Sequence, residues 1–100
     1  MLFFLVKQLI PIRNCFKYRE DGEFLIVLAD TMEIFYLNAV AKDFYLAIDH
    51  KKSIKDIFNE LLLTYNVEAE ILSRDIVTLV RDLQWNQLIR LEEVNVNESL

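Results

Sequence analysis

The sequence predicts a small α+β domain in which a three-stranded antiparallel sheet is followed by three helices packed on it. Two observations support this class. Strand-like apolar runs separated by turn residues occupy residues 1–37, and apolar residues recur at helical spacing after Asn38. The length of 100 residues suits one domain, and the 54% hydrophobic fraction supplies enough apolar side chains for a core.

Residues 1–10 open with an apolar run that Lys7 interrupts after six residues. The run lacks the basic start and the small-residue cleavage site of a signal peptide. It is also shorter than the roughly 20 residues that a membrane-spanning helix needs. We therefore expect residues 1–10 to form an apolar strand or an interface segment. We also expect a cytoplasmic protein that has no membrane partner.

The first strand of the sheet is predicted at residues 12–19, where polar and apolar residues partly alternate. Phe16 and Tyr18 would share the buried face of a half-buried strand. The other face would carry the basic residues Arg13, Lys17 and Arg19.

Two further strands complete an antiparallel meander. Asp21 and Gly22 lie where a tight hairpin turn needs a positive φ. Residues 24–29 are continuously apolar, which predicts a strand buried on both faces. A second turn at residues 30–33 leads to the third strand at residues 34–37.

The helical half begins at Asn38, a favoured N-cap residue. A second helix opens with Ser53 and Asp56, a capping-box variant, and we expect it to end at Asn66 in a left-handed conformation. The third helix is predicted over residues 68–85, and residues 88–91 favour a short final strand. The core face of the third helix is predicted at Leu72, Ile76, Leu79, Val80 and Leu83.

The composition argues against catalysis and against cofactors. One glycine cannot form a phosphate-binding or dinucleotide-binding loop, and one cysteine with one histidine cannot form a Cys/His zinc site. We therefore expect no enzyme activity, no catalytic residue, no metal site and no cofactor. The net charge of −5 disfavours nucleic acid, while five acidic residues against one basic residue in residues 23–50 would attract a cationic peptide.

Several short motifs, in this order and spacing, resemble the PqqD-like family, also called RiPP recognition elements. The resemblance covers residues 11–91. The residues that carry it are Asp30-Thr31, Leu37-Asn38, Ser53-Ile54, Ile57, Leu61, Tyr65, Asp75-Ile76, Leu79-Val80, Leu83 and Leu88-Ile89. The sequence departs from the family at three turns where glycine is frequent. The residues found there are Met32, His50 or Lys51, and Gln87.

The resemblance implies a winged-helix-like fold and a binding function in which the domain itself catalyses no reaction. Residues 11–91 would form a peptide-binding domain that is followed by a flexible acidic tail at residues 92–100. Its partners would be the leader of a ribosomally made precursor peptide and a modifying enzyme such as a radical SAM protein, cyclase or protease. The domain would present the leader to that enzyme during the biosynthesis of a modified peptide or of a cofactor of the pyrroloquinoline quinone type.

The resemblance also implies where the leader would bind. The leader would add as a strand beside the third strand and lie against the third helix. The strand residues would be Glu33, Ile34, Phe35, Tyr36 and Leu37. On the helix, Ile76 and Val80 would form the floor of a groove, with Val77, Arg81 and Gln84 flanking the peptide.

The sequence leaves two alternative functions and the oligomeric state open. The helix order also fits a winged-helix DNA-binding regulator, although the acidic residues of the third helix would repel phosphate. A purely structural subunit is the other alternative. Because the second strand is apolar on both faces, either residues 2–6 or a second subunit would cover its outer face, and we expect a homodimer in the latter case.

Overall fold

The structure, a computed structural model, describes residues 2–94 and has the predicted α+β class. Its elements are α1 (Leu2–Val6), β1 (Ile10–Arg13), β2 (Lys17–Asp21), β3 (Phe24–Leu28), β4 (Ile34–Leu37), α2 (Ala39–Ala47), α3 (Ile54–Thr64), α4 (Ala69–Trp85) and β5 (Ile89–Glu92). No helix within the described residues is long and apolar enough to cross a membrane.

The predicted meander is present as an antiparallel sheet with the strand order β2-β3-β4. Gly22 has φ 61° in the turn that joins β2 to β3, as a tight hairpin requires. Leu25 and Val27 of β3 are fully buried against the helices. On the outer face of this sheet, Ile26 and Leu28 are only half-buried, so β3 is not fully buried on both faces as predicted.

The strand predicted at residues 12–19 is in fact two strands in two sheets. β1 pairs antiparallel with β5, while β2 begins only at Lys17. The break follows from a contact between distant parts of the chain, because the Asn14 N–H donates to the Leu88 carbonyl at 2.8 Å. Phe16, which precedes β2, is 61% exposed and does not lie on a buried face. Tyr18 lies on the inner face as predicted, opposite the buried Val27 and edge-on to the Tyr45 ring, but it is still 41% exposed.

The N-terminal segment is a short helix and not the predicted strand. The ring of Phe3 in α1 packs 4.8 Å from the ring of Phe58 in α3. The carbonyls of Lys7 and Leu9 accept hydrogen bonds at 2.9 Å from the first backbone N–H groups of α3, which a helix N-terminus leaves without intrahelical partners. α1 therefore packs on the helical side of the molecule and does not cover the outer face of the sheet.

Both predicted helix caps are present. Asn38 Oδ1 accepts from the Ala41 N–H at 3.2 Å, and Ser53 with Asp56 forms the reciprocal capping box of α3. The predicted left-handed end of this helix is wrong, because α3 ends at Thr64, its C-cap residue Tyr65 is extended, and Asn66 is not among the residues with positive φ.

The core lies between the β2-β3-β4 sheet and the helices. On α4 it takes Leu72, Ile76, Val80 and Leu83, whereas Leu79, predicted as a core residue, is only partly buried. Of the predicted tail, Glu92 still belongs to β5, and residues 95–100 lie outside the described part of the chain.

Candidate binding groove

β4 forms one edge of its sheet and has an open rim. It pairs with β3 on one side only, in a register that places Val27 opposite Phe35. In the same register the Ala29 N–H donates to the Glu33 carbonyl at 2.9 Å. Because hydrogen-bonded and non-hydrogen-bonded pairs alternate in an antiparallel ladder, the backbone N–H and C=O groups of Ile34 and Tyr36 point away from β3. These four groups form the rim.

A groove runs between this edge and α4. Its volume is about 460 Å³, and it is lined by β4, the start of α2, one side of α4 and Leu88. Its apolar floor includes Leu37 and Leu83, which are almost fully buried, and the partly buried Phe35 and Leu79. Within residues 2–94, the apolar floor of the groove therefore lies beside a strand edge that no other strand pairs with.

The polar lining of the groove is acidic. Asp75 and Asp82 contribute carboxylates from α4, and no lysine or arginine lines the groove. Asp82 has one charged neighbour among the described residues, Arg81, whose Nε lies 3.8 Å from Oδ1 with both side chains mostly exposed. At that distance and exposure the pair leaves the negative charge of Asp82 largely uncompensated.

A buried tyrosine holds the back of the groove in place. Tyr45 of α2 donates its hydroxyl to the carbonyl of Leu88 at 2.9 Å, and Leu88 is one of the lining residues. Burial raises the pKa of Tyr45 far above its usual value, so the hydroxyl keeps its proton and this bond at all ordinary pH values. The bond fixes the turn after α4 relative to α2.

The N-terminal segment leaves the rim free. β1 is occupied by its pairing with β5, and α1 contacts α3 and α4. No strand within residues 2–94 pairs with the outer side of β4.

The structure places the ten residues predicted for the site in several different positions. Phe35, Tyr36 and Leu37 line the groove. Ile34 lies on the rim with its side chain on the exposed outer face, and Glu33 precedes the strand and is exposed.

The predicted α4 residues lie outside the groove. Ile76 and Val80 are buried in the core at 0% and 2% exposure, so they do not form its floor. Val77 and Arg81 line a separate pocket against α1, beside Leu2 and Phe3. Gln84 is exposed and does not line the groove.

The helix residues that do line the groove were missed because they lie on a neighbouring stripe of α4. They are Asp75, Thr78, Leu79, Asp82 and Asn86, together with the buried Leu83. The signal available in the sequence was Leu79, an apolar residue at the margin of the core stripe, with acidic residues four positions before it and three positions after it. Side chains at such spacings share one helix face.

No metal centre accompanies the groove. Within residues 2–94, no three side chains of His, Cys, Asp or Glu lie close enough together to hold an ion.

The strand order, the open rim and the neighbouring helix define a small α+β domain in which the β4 edge, unpaired within residues 2–94, lies beside a groove. Comparison with solved structures gives a match titled "TbiB1 in Complex with the TbiA(beta) Leader Peptide". The match has a TM-score of 0.68 and 20% sequence identity, and it covers 74% of this chain and 87% of that chain. At this identity the likeness establishes the fold.

The family follows from the sequence itself. The family described as Coenzyme PQQ synthesis protein D (PqqD) matches residues 23–89, which is more than half of the chain. The protein belongs to the PqqD family, which confirms the resemblance read from the short motifs. A search of curated proteins gave no match.

Proposed function

We propose that this protein binds the leader of a ribosomally made precursor peptide by strand addition at β4 and presents it to a modifying enzyme. The observation that carries the proposal is the open rim formed by Ile34 and Tyr36 beside an apolar groove. The similar structure, TbiB1, is a complex with a leader peptide, which supports the same type of ligand here. In this role the protein recognises a substrate and carries out no reaction on it.

The rim and the groove together supply enough free energy for useful binding. Four rim groups contribute about 0.5–1.5 kcal/mol each as hydrogen bonds, and two or three apolar anchors add about 1.5–3 kcal/mol each. Association costs at least about 4 kcal/mol. At the middle of these ranges the remainder is about 6 kcal/mol, which corresponds to a Kd of roughly tens of micromolar. Such an affinity suits a substrate that must leave after modification.

The groove disfavours the alternative of a DNA-binding regulator. In a winged-helix regulator α4 would approach the phosphates, yet its side that lines the groove carries Asp75 and Asp82 and no lysine or arginine. Phosphate would be repelled there, because nucleic-acid contacts require clustered Lys and Arg.

Strand addition is tested by blocking the rim with proline. The ligand would be the synthetic N-terminal half of the peptide encoded by the short reading frame nearest this gene. Tyr36→Pro removes an outward N–H without removing a bond to β3, and its ring obstructs an incoming strand. We expect isothermal titration to show at least a tenfold loss of affinity for this variant, with the helical circular dichroism of the wild type retained.

The matched control is Glu20→Pro on the opposite edge of the same sheet. Glu20 pairs with Leu25, whose backbone bonds point toward β4, so the Glu20 N–H also points outward. This variant loses the ion pair with Lys42, whose side chain is 15% exposed and keeps its hydrogen bond to the Gly22 carbonyl. Equal binding by the wild type and Tyr36→Pro, or a loss confined to Glu20→Pro, would show that the ligand does not add to β4.

A further inference from the structure

We infer that the peptide taken by this groove is cationic, with Lys or Arg side chains of the incoming strand lying against Asp75 and Asp82 of α4. The inference rests on the proposed function and adds the chemistry of the ligand to it. It follows from the lining of the groove, which includes these two carboxylates and no lysine or arginine. Within residues 2–94 their one ion pair is the contact between Asp82 and Arg81, which is 3.8 Å long and exposed to solvent.

Helix α4 has two sides of opposite charge. Asp75, Leu79 and Asp82 face the groove, whereas Arg74 and Arg81 line the pocket against α1. The basic residues of this helix are therefore directed away from the bound peptide. A ligand at β4 meets a negative potential from the helix, which favours a positive chain and opposes an acidic one.

The acidic residues of the segment 23–50 do not supply this charge at the groove. None of the five lines it: they are Glu23, Asp30, Glu33, Asp43 and Asp49. The attraction of a cationic peptide, predicted from the charge of residues 23–50, is therefore assigned to α4 instead.

The spacing of the two carboxylates suits an extended peptide. Asp75 and Asp82 are seven residues apart, which corresponds to about 10 Å along the helix axis. Same-face residues of an extended strand are about 7 Å apart at positions i and i+2 and about 13 Å apart at i and i+4. The long side chains of Lys and Arg bridge either mismatch, so we expect basic residues two or four positions apart on the face directed toward α4.

The experiment selects ligands without assuming their sequence. A random library of linear 15-residue peptides, displayed on messenger RNA, is selected in parallel on three immobilised full-length proteins. These are the wild type, D75N/D82N and E68Q/E70Q. Both variants change the net charge of −5 by the same two units, but Glu68 and Glu70 lie at the start of α4 and do not line the groove. The control therefore separates the local charge of the groove from the overall charge of the protein.

We expect Lys and Arg to be enriched about twofold over the starting library on the wild type and on E68Q/E70Q, but not on D75N/D82N. A resynthesised wild-type binder should bind D75N/D82N about fivefold more weakly, because each exposed ion pair contributes a modest factor. Raising the ionic strength from 0.05 to 0.5 M should weaken its binding to the wild type more than to D75N/D82N.

Two results would overturn the inference, and they have different meanings for the proposed function. If all three proteins select peptides of the same charge and these peptides fail to bind Tyr36→Pro, strand addition stands and the cationic ligand is wrong. If the selected peptides bind Tyr36→Pro as well as they bind the wild type, the ligand site is elsewhere and both proposals fail.

Discussion

Within residues 2–94, three residues other than glycine adopt the left-handed backbone conformation. Met32, His50 and Gln87 have φ values of 73°, 65° and 61°. They occupy the three turns at which PqqD-like sequences often carry glycine. The resemblance to the family located these turns in the sequence. The structure shows a left-handed backbone at each of them, although a residue with a side chain is strained in that conformation. Of the two positions considered for the second turn, His50 is the one with positive φ.

We predict that Gln87→Gly stabilises the protein. A side chain in the left-handed conformation costs about 1–2 kcal/mol, and the greater freedom of glycine in the unfolded chain offsets about 0.4–1 kcal/mol of the gain. The free energy of unfolding, measured in urea, should therefore rise by about 0.5–1 kcal/mol. The same substitution three residues earlier, Gln84→Gly, lies in the helix and should lower the free energy of unfolding by about 0.5–1 kcal/mol. A destabilised Gln87→Gly variant would show that the Gln87 side chain makes an important contact.

At the scale of elements, local signals predicted most of the fold. Gly22 marked the hairpin, Asn38 marked the start of α2, and Ser53 with Asp56 marked the start of α3. Each of these depends on hydrogen bonds or backbone angles within a few residues, which a sequence pattern records directly.

The errors arose where distant residues decide the structure. The division of residues 12–19 between two sheets depends on the bond from Asn14 to Leu88, and α1 depends on packing against Phe58. β4 is an edge strand of its sheet, as the predicted meander requires. The sequence does not show which side of α4 borders β4, because the hydrophobic period identifies the core face of the helix but not which of its two margins lies beside that strand.

The position of the groove on α4 predicts different effects for two neighbouring truncations. Leu79→Ala removes an apolar anchor from the groove and should weaken the binding of the leader peptide about tenfold. Val77→Ala lies on the side of α4 that faces α1 and should change the affinity by less than about twofold. Fluorescence anisotropy with a labelled leader peptide measures both. A larger loss for Val77→Ala would place the ligand on the other side of the helix, as the sequence alone suggested.

For the molecule as a whole, the two faces of the β2-β3-β4 sheet have different surroundings. The inner face packs on the helices, while the outer face leaves Ile34 and Tyr36 exposed at 59% and 68%. α1, which the sequence suggested as a cover, lies on the helical side instead. The homodimer therefore stays a prediction, with the outer face as its expected interface, and a strict monomer in light scattering at high concentration would contradict it.

The β4 edge stays open because residues 7–13 and 89–92 make their backbone hydrogen bonds elsewhere in the molecule. β5 pairs with β1, and the carbonyls of Lys7 and Leu9 are bonded to α3. The N-terminal segment is thereby held away from β4. An open edge of only four residues limits unwanted pairing with other chains, since short edge strands offer few backbone groups.

Amide hydrogen exchange with and without bound leader peptide tests the central claim most directly. In the free protein the amides of Ile34 and Tyr36 should exchange rapidly, because they point away from β3. On binding, we expect these two amides to become protected, while those of Tyr18 and Glu20 on the opposite edge keep their exchange rates. Unchanged exchange at Ile34 and Tyr36 in the saturated complex, or new protection at Tyr18 and Glu20 alone, would contradict strand addition at β4.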